Sequence, residues 1–363
     1  MEEKIAALVI AKYLKKGNMA RCLRDILPGA HLSRKQREDV ADIVHTMVRW
    51  RRLFEQIIQT QNLPFSAETF VKLVKNRAQK DAKSYPFEYR FSCSSFVADI
   101  LRNHQDWAEY LNQTPPTTLC VNYNKSTTEE VISLLNNDSL VAERSVLPTA
   151  LLTTSVAKYS TVIQKQFALV QDESSQLISF LTAFLGDSFF DYCAGNGGKS
   201  LAIGSITRNT KQLDAFEMNE KKRATLKKRC SEYNAQVRVH DVIPKQIFDV
   251  VLVDAPCTGL GAARRNPEAK YIDNLGDLPE KQIALLKQTA MNVKSGGFLL
   301  YSVCTITPEE TTTVIKTFLD TNRFSLESVE EFPFKKYLQD ESYGFVTKVP
   351  QGDLFFIAVL KKP

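Results

Sequence analysis

No two cysteines in this chain stand as CxxC, and none of its four histidines has a partner at metal-ligand spacing. A zinc site is therefore not expected. The scarcity of histidine also leaves imidazole-based acid–base chemistry with little support. The seven cysteines are an odd number scattered at 22, 93, 120, 193, 230, 257 and 304, which argues against a disulfide framework. No stretch approaches the roughly eighteen uninterrupted apolar residues that a membrane-spanning helix needs. The N-terminal residues read as an amphipathic helix, with Ile5, Leu8, Val9 and Leu14 set among lysines. They lack the apolar block and cleavage site of a signal peptide, so a cytoplasmic protein is expected. Internal repeats and low-complexity tracts are absent.

What is present is a chain of 363 residues, 44% of them hydrophobic. That length favours two or three domains and the composition is enough for a real core. The formal charge of +6 is not evenly spread: residues 1–75 hold 14 basic against 8 acidic side chains, and the remainder is neutral. A basic piece joined to a neutral larger one suggests a polyanion-binding appendage on an enzyme, although a merely solvated helix surface would look the same. Residues 1–75 read as helices broken at Gly17-Asn18, Pro28-Gly29 and Asn62-Pro64. Arg49, Arg51 and Arg52 surround Trp50, either as an RNA-facing patch or as a helix that buries its Trp and leaves the arginines in water. Residues 76–150 read as a small α+β subdomain, with a strand at Thr118 to Val121 and a helix from Thr127 to Leu135 capped by Ser126 or Thr127. Cys22, Cys93, Cys120 and Cys230 read as small buried hydrophobes.

From about 151 to 363 strands and helices alternate. Strands are expected at Ser188 to Tyr192, Leu213 to Phe216, Val237 to Val239, Phe248 to Val253, Phe298 to Ser302, Phe324 to Val329 and Leu354 to Leu360. Helices are expected at Ser174 to Phe184, Lys199 to Ile206, Asn219 to Tyr233, Pro279 to Val293 and Pro308 to Thr321. This is the rhythm of a doubly wound α/β sheet.

The first of these strands runs into Asp191-Tyr192-Cys193-Ala194-Gly195-Asn196-Gly197-Gly198-Lys199, which opens a helix. Its glycines permit a tight turn and close backbone approach to a ligand. The spacing is neither GxGxxG nor GxxxxGK[ST], which disfavours a diphosphate cradle. Glu217, at the end of the second strand, is placed to accept from both ribose hydroxyls. Asp241, after the third strand, is placed to meet an adenine amino group. A ribose-binding acid beside a loop with few phosphate donors points to S-adenosylmethionine.

Two cysteine-centred segments close the fourth and fifth strands: Asp254-Ala255-Pro256-Cys257 and Tyr301-Ser302-Val303-Cys304-Thr305. Loops at the carboxyl ends of such strands carry the chemistry of open α/β sheets. Two thiols converging there suit a reaction in which one sulfur attacks and the other helps release the product. Residue order alone leaves open which sulfur does which.

Together with Thr258-Gly259-Leu260-Gly261, Arg264-Arg265-Asn266-Pro267-Glu268 and Gln171-Asp172-Glu173-Ser174-Ser175, these motifs resemble the Nop/Sun family of RNA (cytosine-5) methyltransferases over roughly two hundred residues. The family often has Pro where Ala255 stands, Thr at Val303, Ala-Pro at Gly195-Asn196 and Asp at Glu217. The weaker N-terminal part is similar to that of the family's bacterial 16S rRNA members, whose basic helical domain resembles the antiterminator NusB. The resemblance implies a class I S-adenosylmethionine-dependent methyltransferase sheet acting on RNA, with ribosomal RNA favoured over transfer RNA. A non-catalytic RNA-binding assembly factor is the other reading. The resemblance assigns attack on carbon 6 of cytosine to Cys304 and release to Cys257, with Asp254 holding ring nitrogen 3 or the exocyclic amine. Lys199 is expected beside Asp254, where its positive charge would favour the ionised sulfur. The cofactor would lie against Cys193 to Lys199, Glu217, Asp241 and Asp254. Arg264 and Arg265 would meet RNA phosphate or stack on a base. The target cytosine would be flipped or single-stranded. No metal is implied, and a monomer is the default.

Overall fold

A computed structural model describes residues 1–363. Packing divides them into two units: Met1–Thr114 with Ala262–Asn274, and Pro115–Gly261 with Leu275–Pro363. The divisions expected near 75 and 150 are not where the contacts thin out. Residues 76–114 belong with the helices before them, and the strands that follow belong with the large sheet.

The first unit is helical. Its main helices are Glu2–Lys16, Met19–Ile26, Arg34–Arg49, Arg51–Thr60 and Ala67–Lys75. Ser33 and Gln36 close a reciprocal capping box at the start of the third, which satisfies two otherwise orphaned amides. Ile10, Val44, Met47, Phe54 and Phe70 fill the core. At Trp50 neither expected arrangement holds: Trp50 is half-buried and the arginine beside it is buried. Arg49 donates through Nη2 to the Arg264 carbonyl at 2.6 Å and through Nη1 to Thr114 Oγ1 at 3.2 Å. Burial lowers its pKa to about 10.

The inserted stretch Ala262–Asn274 is anchored by a buried lysine. Lys270 Nζ donates to the carbonyls of Arg49 at 2.8 Å and Phe91 at 3.0 Å and to Asn112 Oδ1 at 2.5 Å. A cation on the last carbonyls of a helix satisfies groups the helix itself cannot. Tyr271 OH adds a bond to the Val48 carbonyl at 2.6 Å.

The second unit contains two sheets. The smaller is antiparallel: β1 (Thr117–Val121), β2 (Glu143–Arg144), β3 (Ala150–Thr153) and β4 (Ala168–Val170), in the order β2-β3-β1-β4. Thr127 caps the helix Thr128–Asn137 that follows β1. Gln176 Nε2 donates to the Leu119 carbonyl at 3.3 Å, and Asn122 Nδ2 to the Tyr233 carbonyl at 2.9 Å. These bonds pin the small sheet to helices of the large one, which is why it does not stand as a separate subdomain.

The larger sheet is built from β5 (Ser188–Asp191), β6 (Gln212–Phe216), β7 (Arg238–His240), β8 (Phe248–Asp254), β9 (Val293–Val303), β10 (Ser325–Leu326), β11 (Leu338–Glu341), β12 (Gly344–Thr347) and β13 (Phe356–Lys361). Its order is β11-β12-β13-β9-β8-β5-β6-β7, with β10 beside β13. The run from β7 to β9 is parallel, and β13, β12 and β11 continue it antiparallel. The expected doubly wound sheet is therefore present, with an antiparallel edge. The chain leaves β5 toward β6 and β7 and returns to β8, so strand order reverses between β5 and β8. Ligands bind at such a reversal, outside the carboxyl ends of the strands.

Three details differ from expectation. The hairpin β11–β12 was not foreseen, because Leu338-Gln339-Asp340-Glu341 is polar and lacks alternation. The strand expected across Phe324 to Val329 pairs only at Ser325–Leu326. The last strand begins at Phe356 because the Leu354 amide donates to the Gly261 carbonyl at 3.1 Å instead of to a neighbouring strand. No helix is long and apolar enough to cross a membrane.

Candidate active site

The apolar run of β8 pairs with β5 on one side and β9 on the other, with Asp191 opposite Leu252 and Asp254 opposite Ser302. Near-continuous apolar sequence is what a strand covered on both faces requires. This register brings both cysteine segments to one sheet end. The Ala255 amide extends the ladder to the Ser302 carbonyl at 2.9 Å, and the Gly261 amide returns to the Cys304 carbonyl at 3.0 Å. A Cβ at Gly261 would stand 1.9 Å from the Leu354 carbonyl oxygen, so only glycine lets the loop close.

Cys257 and Cys304 meet at 3.5 Å between sulfurs. Both are partly exposed, whereas Cys22, Cys93, Cys120 and Cys230 are buried. Burial pushes the Cys120 thiol up to about 12 and that of Cys93 to about 11, as inert core thiols should be. The Cys257 thiol lies well above its ordinary value, first through its hydrogen bond to Cys304, then through burial and the charges of Cys304 and Glu310. Either sulfur can be the donor of the bond between them.

Asp254 ends β8 beside them. Its Oδ1 accepts from Ser302 Oγ at 3.0 Å and its Oδ2 from Lys199 Nζ at 2.5 Å. Lys199 is 8% exposed, and its ammonium lies 5.1 Å from the centre of the Phe355 ring. Lys199 thus lies beside Asp254, where it was expected, and no hydrogen bond joins it to either cysteine. With the ammonium buried and the carboxylate partly exposed, Lys199 and Asp254 hold each other in place.

The glycine loop has the character expected of it. Gly195 and Gly197 adopt φ values of 56° and 88°. A Cβ at Gly197 would come within 2.5 Å of Leu226 Cδ1. Glu217 Oε2 accepts from the Gly195 amide at 2.9 Å and Oε1 from the Asn219 amide at 2.7 Å. Each oxygen retains a lone pair for another donor. A cavity of about 560 Å³ is lined by Tyr192, Cys193, Gly195, Phe216, Glu217, Met218, Asn219, Lys222, Asp254, Pro256 and Leu285. A second of about 270 Å³ lies against Gln171, Ser175, Asp191, Cys193 to Asn196, Gly198, Lys199 and Asp254.

These residues fit S-adenosylmethionine. The larger cavity offers apolar walls from Phe216, Met218 and Leu285 beside the carboxylate of Glu217, a match for an adenine carrying a ribose. The smaller offers Gln171 Oε1, a buried acceptor with no partner, which a ligand ammonium would satisfy. Asp241 stands apart from both cavities. It is exposed, and its Oδ1 is paired with Arg223 at 3.1 Å and Lys227 at 2.8 Å. No group of three or more His, Cys, Asp or Glu side chains is arranged to hold a metal ion.

The arginines after Cys257 also differ from expectation. Arg264 is 1% exposed, donates through Nη1 to Tyr110 OH, and has its guanidinium 4.2 Å from the centre of that ring. It packs inside the helical unit and cannot present itself to a phosphate. Arg265 is half-buried. An Arg-Arg pair in a loop carries no sign of which side chain the fold will bury, so nothing in the local sequence separates them.

Sequence reading passed over Glu310 and Gln282, each fully buried. Glu310 looked like an ordinary acid in the first turn of a helix. The Glu310 carboxylate gathers the Thr258 amide and hydroxyl, Gln282 Nε2 and Thr307 Oγ1.

Comparison with known proteins bears on these features. A family model described as 16S rRNA methyltransferase RsmB/F matches residues 179–361, half of the chain. The probable ribosomal RNA small subunit methyltransferase B of Bacillus subtilis is 28% identical over 269 residues, 68% of this chain and 60% of that protein. The corresponding protein of Synechocystis is 30% identical over 274 residues, 70% of this chain and 61% of that one. The chain thus spans about 60% of the length of these curated relatives. Among solved structures, the crystal structure of PH0851 superposes with a TM-score of 0.81 at 20% identity, covering 100% of this chain and 99% of that one. NSun6 from Pyrococcus horikoshii with SFG superposes at 0.63 and 16% identity, covering 74% and 98%. Both share the fold.

Proposed function

Because the chain belongs to the RsmB/F family of 16S rRNA methyltransferases, we propose that it is an S-adenosylmethionine-dependent RNA (cytosine-5) methyltransferase whose substrate is ribosomal RNA. The observation that carries this reading is the 3.5 Å approach of Cys257 and Cys304, with Asp254 beside them lining the same cavity as Glu217.

Carbon 5 of cytosine is a poor nucleophile. Addition of the Cys304 thiolate at carbon 6 turns the ring into an enamine that is nucleophilic at carbon 5, one hard step divided into easier ones. Thiolate addition pushes electron density onto ring nitrogen 3, which takes up a proton to give a neutral adduct; Asp254, oriented by Lys199 and Ser302, would hold that protonated nitrogen or the exocyclic amine in place. S-adenosylmethionine supplies the electrophilic methyl group. Cys257 then relays the carbon-5 proton, handing its own thiol proton to solvent as it takes up the one from carbon 5, and Cys304 is expelled as thiolate. A cytosine must leave any helical stack to reach two sulfurs in a cleft. Of the two arginines, Arg265 is the one left to meet RNA.

Purified protein, the methyl donor and small-subunit ribosomal RNA should yield 5-methylcytidine in nucleoside digests read by mass spectrometry, and bisulfite mapping should place it at a discrete position. Methylation of transfer RNA alone would move the substrate. N4-methylcytidine, or no methylation of any RNA, would end the reading.

Glu217→Ala should weaken binding of the methyl donor about ten- to a hundredfold by titration calorimetry, since a hydrogen bond to a charged acceptor contributes about 1.5–3 kcal/mol. Unchanged affinity would remove that carboxylate from the ribose.

A further inference from the structure

Glu310 ends the short turn Pro308–Glu310 beyond Cys304 and is fully buried. Burying a carboxylate is costly unless its oxygens are met by donors. Oε1 accepts from the Thr258 amide at 2.9 Å and from Gln282 Nε2 at 3.0 Å. Oε2 accepts from the hydroxyls of Thr258 and of Thr307, the latter at 2.8 Å. Thr258 directly follows Cys257, and Gln282 also donates to the carbonyl of Pro256 at 2.9 Å, on the other side of that cysteine. Thr307 belongs to the turn that leaves Cys304. Segments flanking both sulfurs therefore converge on one side chain. Every donor to it is neutral, and no lysine or arginine pairs with it, so its charge is not cancelled locally.

We propose that Glu310 is the positioning residue of the thiol pair: its carboxylate sets the approach of Cys257 to Cys304, and its negative charge keeps the proton they share on Cys257. The inference rests on reading the two cysteines as catalytic thiols. Other groups around Cys257 do not supply this bias. Tyr301 donates its hydroxyl to the Glu310 carbonyl at 2.7 Å and burial holds it neutral. Asp254 has its charge matched by Lys199 at 2.5 Å. The hydrogen bond to Cys304 and burial are the larger causes of the raised Cys257 thiol, and Glu310 is the fixed charge that adds to them, against an opposing bond from the Gly259 backbone. With the proton on Cys257, Cys304 is the sulfur free to ionise and attack.

Glu310→Gln separates charge from shape. The amide oxygen can take the place of Oε1, where both partners are obligate donors, and the amide nitrogen then meets two hydroxyls that can accept. The experiment is alkylation of the intact protein by iodoacetamide across pH, without RNA or methyl donor, at single-hit extents, with the Cys257 and Cys304 peptides resolved by mass spectrometry. In the wild type, Cys304 should react at lower pH than Cys257. In Glu310→Gln the Cys257 midpoint should fall by about one pH unit, a roughly tenfold faster reaction at any pH below it, as expected when a nearby like charge is removed. A folded Gln variant with an unmoved Cys257 profile overturns the inference. Should that variant not fold, Glu310→Asp draws the carboxylate back by a methylene and should shift the profile the same way by less; no shift overturns it equally. An unmoved profile in a protein that still methylates cytosine defeats only this inference. A shifted profile in a protein that methylates no RNA defeats only the assigned function.

Discussion

Cys304→Ala protein should lose methyl transfer by at least about a thousandfold, the scale on which removal of a covalent nucleophile acts, and should form no covalent complex with RNA. The reason lies in the order of events. Without sulfur at carbon 6 the ring never becomes an enamine, so a bound methyl donor has no nucleophile to meet. Cofactor affinity should stay near wild type, because Cys304 lines neither cavity described beside the glycine loop. The measurement is initial rate with tritiated methyl donor, alongside calorimetry on the same preparation. A variant that still methylates within tenfold of wild type would exclude a carbon-6 adduct at this sulfur.

Cys257→Ala should behave in the opposite way. Turnover should fall about a hundred- to ten-thousandfold, the range of a lost proton-transfer group, yet a protein–RNA complex should accumulate that survives denaturant and runs as a shifted band on a gel. Attack and methyl transfer need Cys304. Expulsion of that sulfur needs the carbon-5 proton removed, and without Cys257 the chain stalls on its own product. The two substitutions therefore distinguish roles that a single loss of activity would not. If Cys304→Ala accumulates the complex and Cys257→Ala forms none, the sulfurs exchange parts. If neither variant nor the wild type forms a complex and none methylates, the covalent route is excluded.

The fold was legible in the sequence where chemistry and periodicity agree. Phe248 to Val253 and Phe298 to Ser302 read as strands because a strand covered on both faces must be apolar throughout, and the glycine loop read as a turn because Gly195 and Gly197 take positive φ. Glu217 was placed by its position at the end of β6, and its side chain lines the cavity beside the glycine loop. Leu338–Glu341 was missed because an edge strand need not alternate. Asp241 was placed by the same strand-end logic as Glu217 but lines neither cavity, and its Oδ1 is held by Arg223 and Lys227.

Which residues are near which depends on strand order, and order is not written in any local pattern. The amino-acid sequence by itself determined an α/β protein with a glycine-loop ligand site and two cysteines at neighbouring strand ends, because helix and strand periods, turn residues and reactive side chains act over a few positions. Only the tertiary structure decided that the sulfurs lie 3.5 Å apart, that Lys199 answers Asp254, that Arg264 is core rather than surface, and that Glu310 ties the thiol loops together. Each of these joins residues distant along the chain, and burial, which settles the state of a charge or a thiol, exists only once the packed units have closed around it.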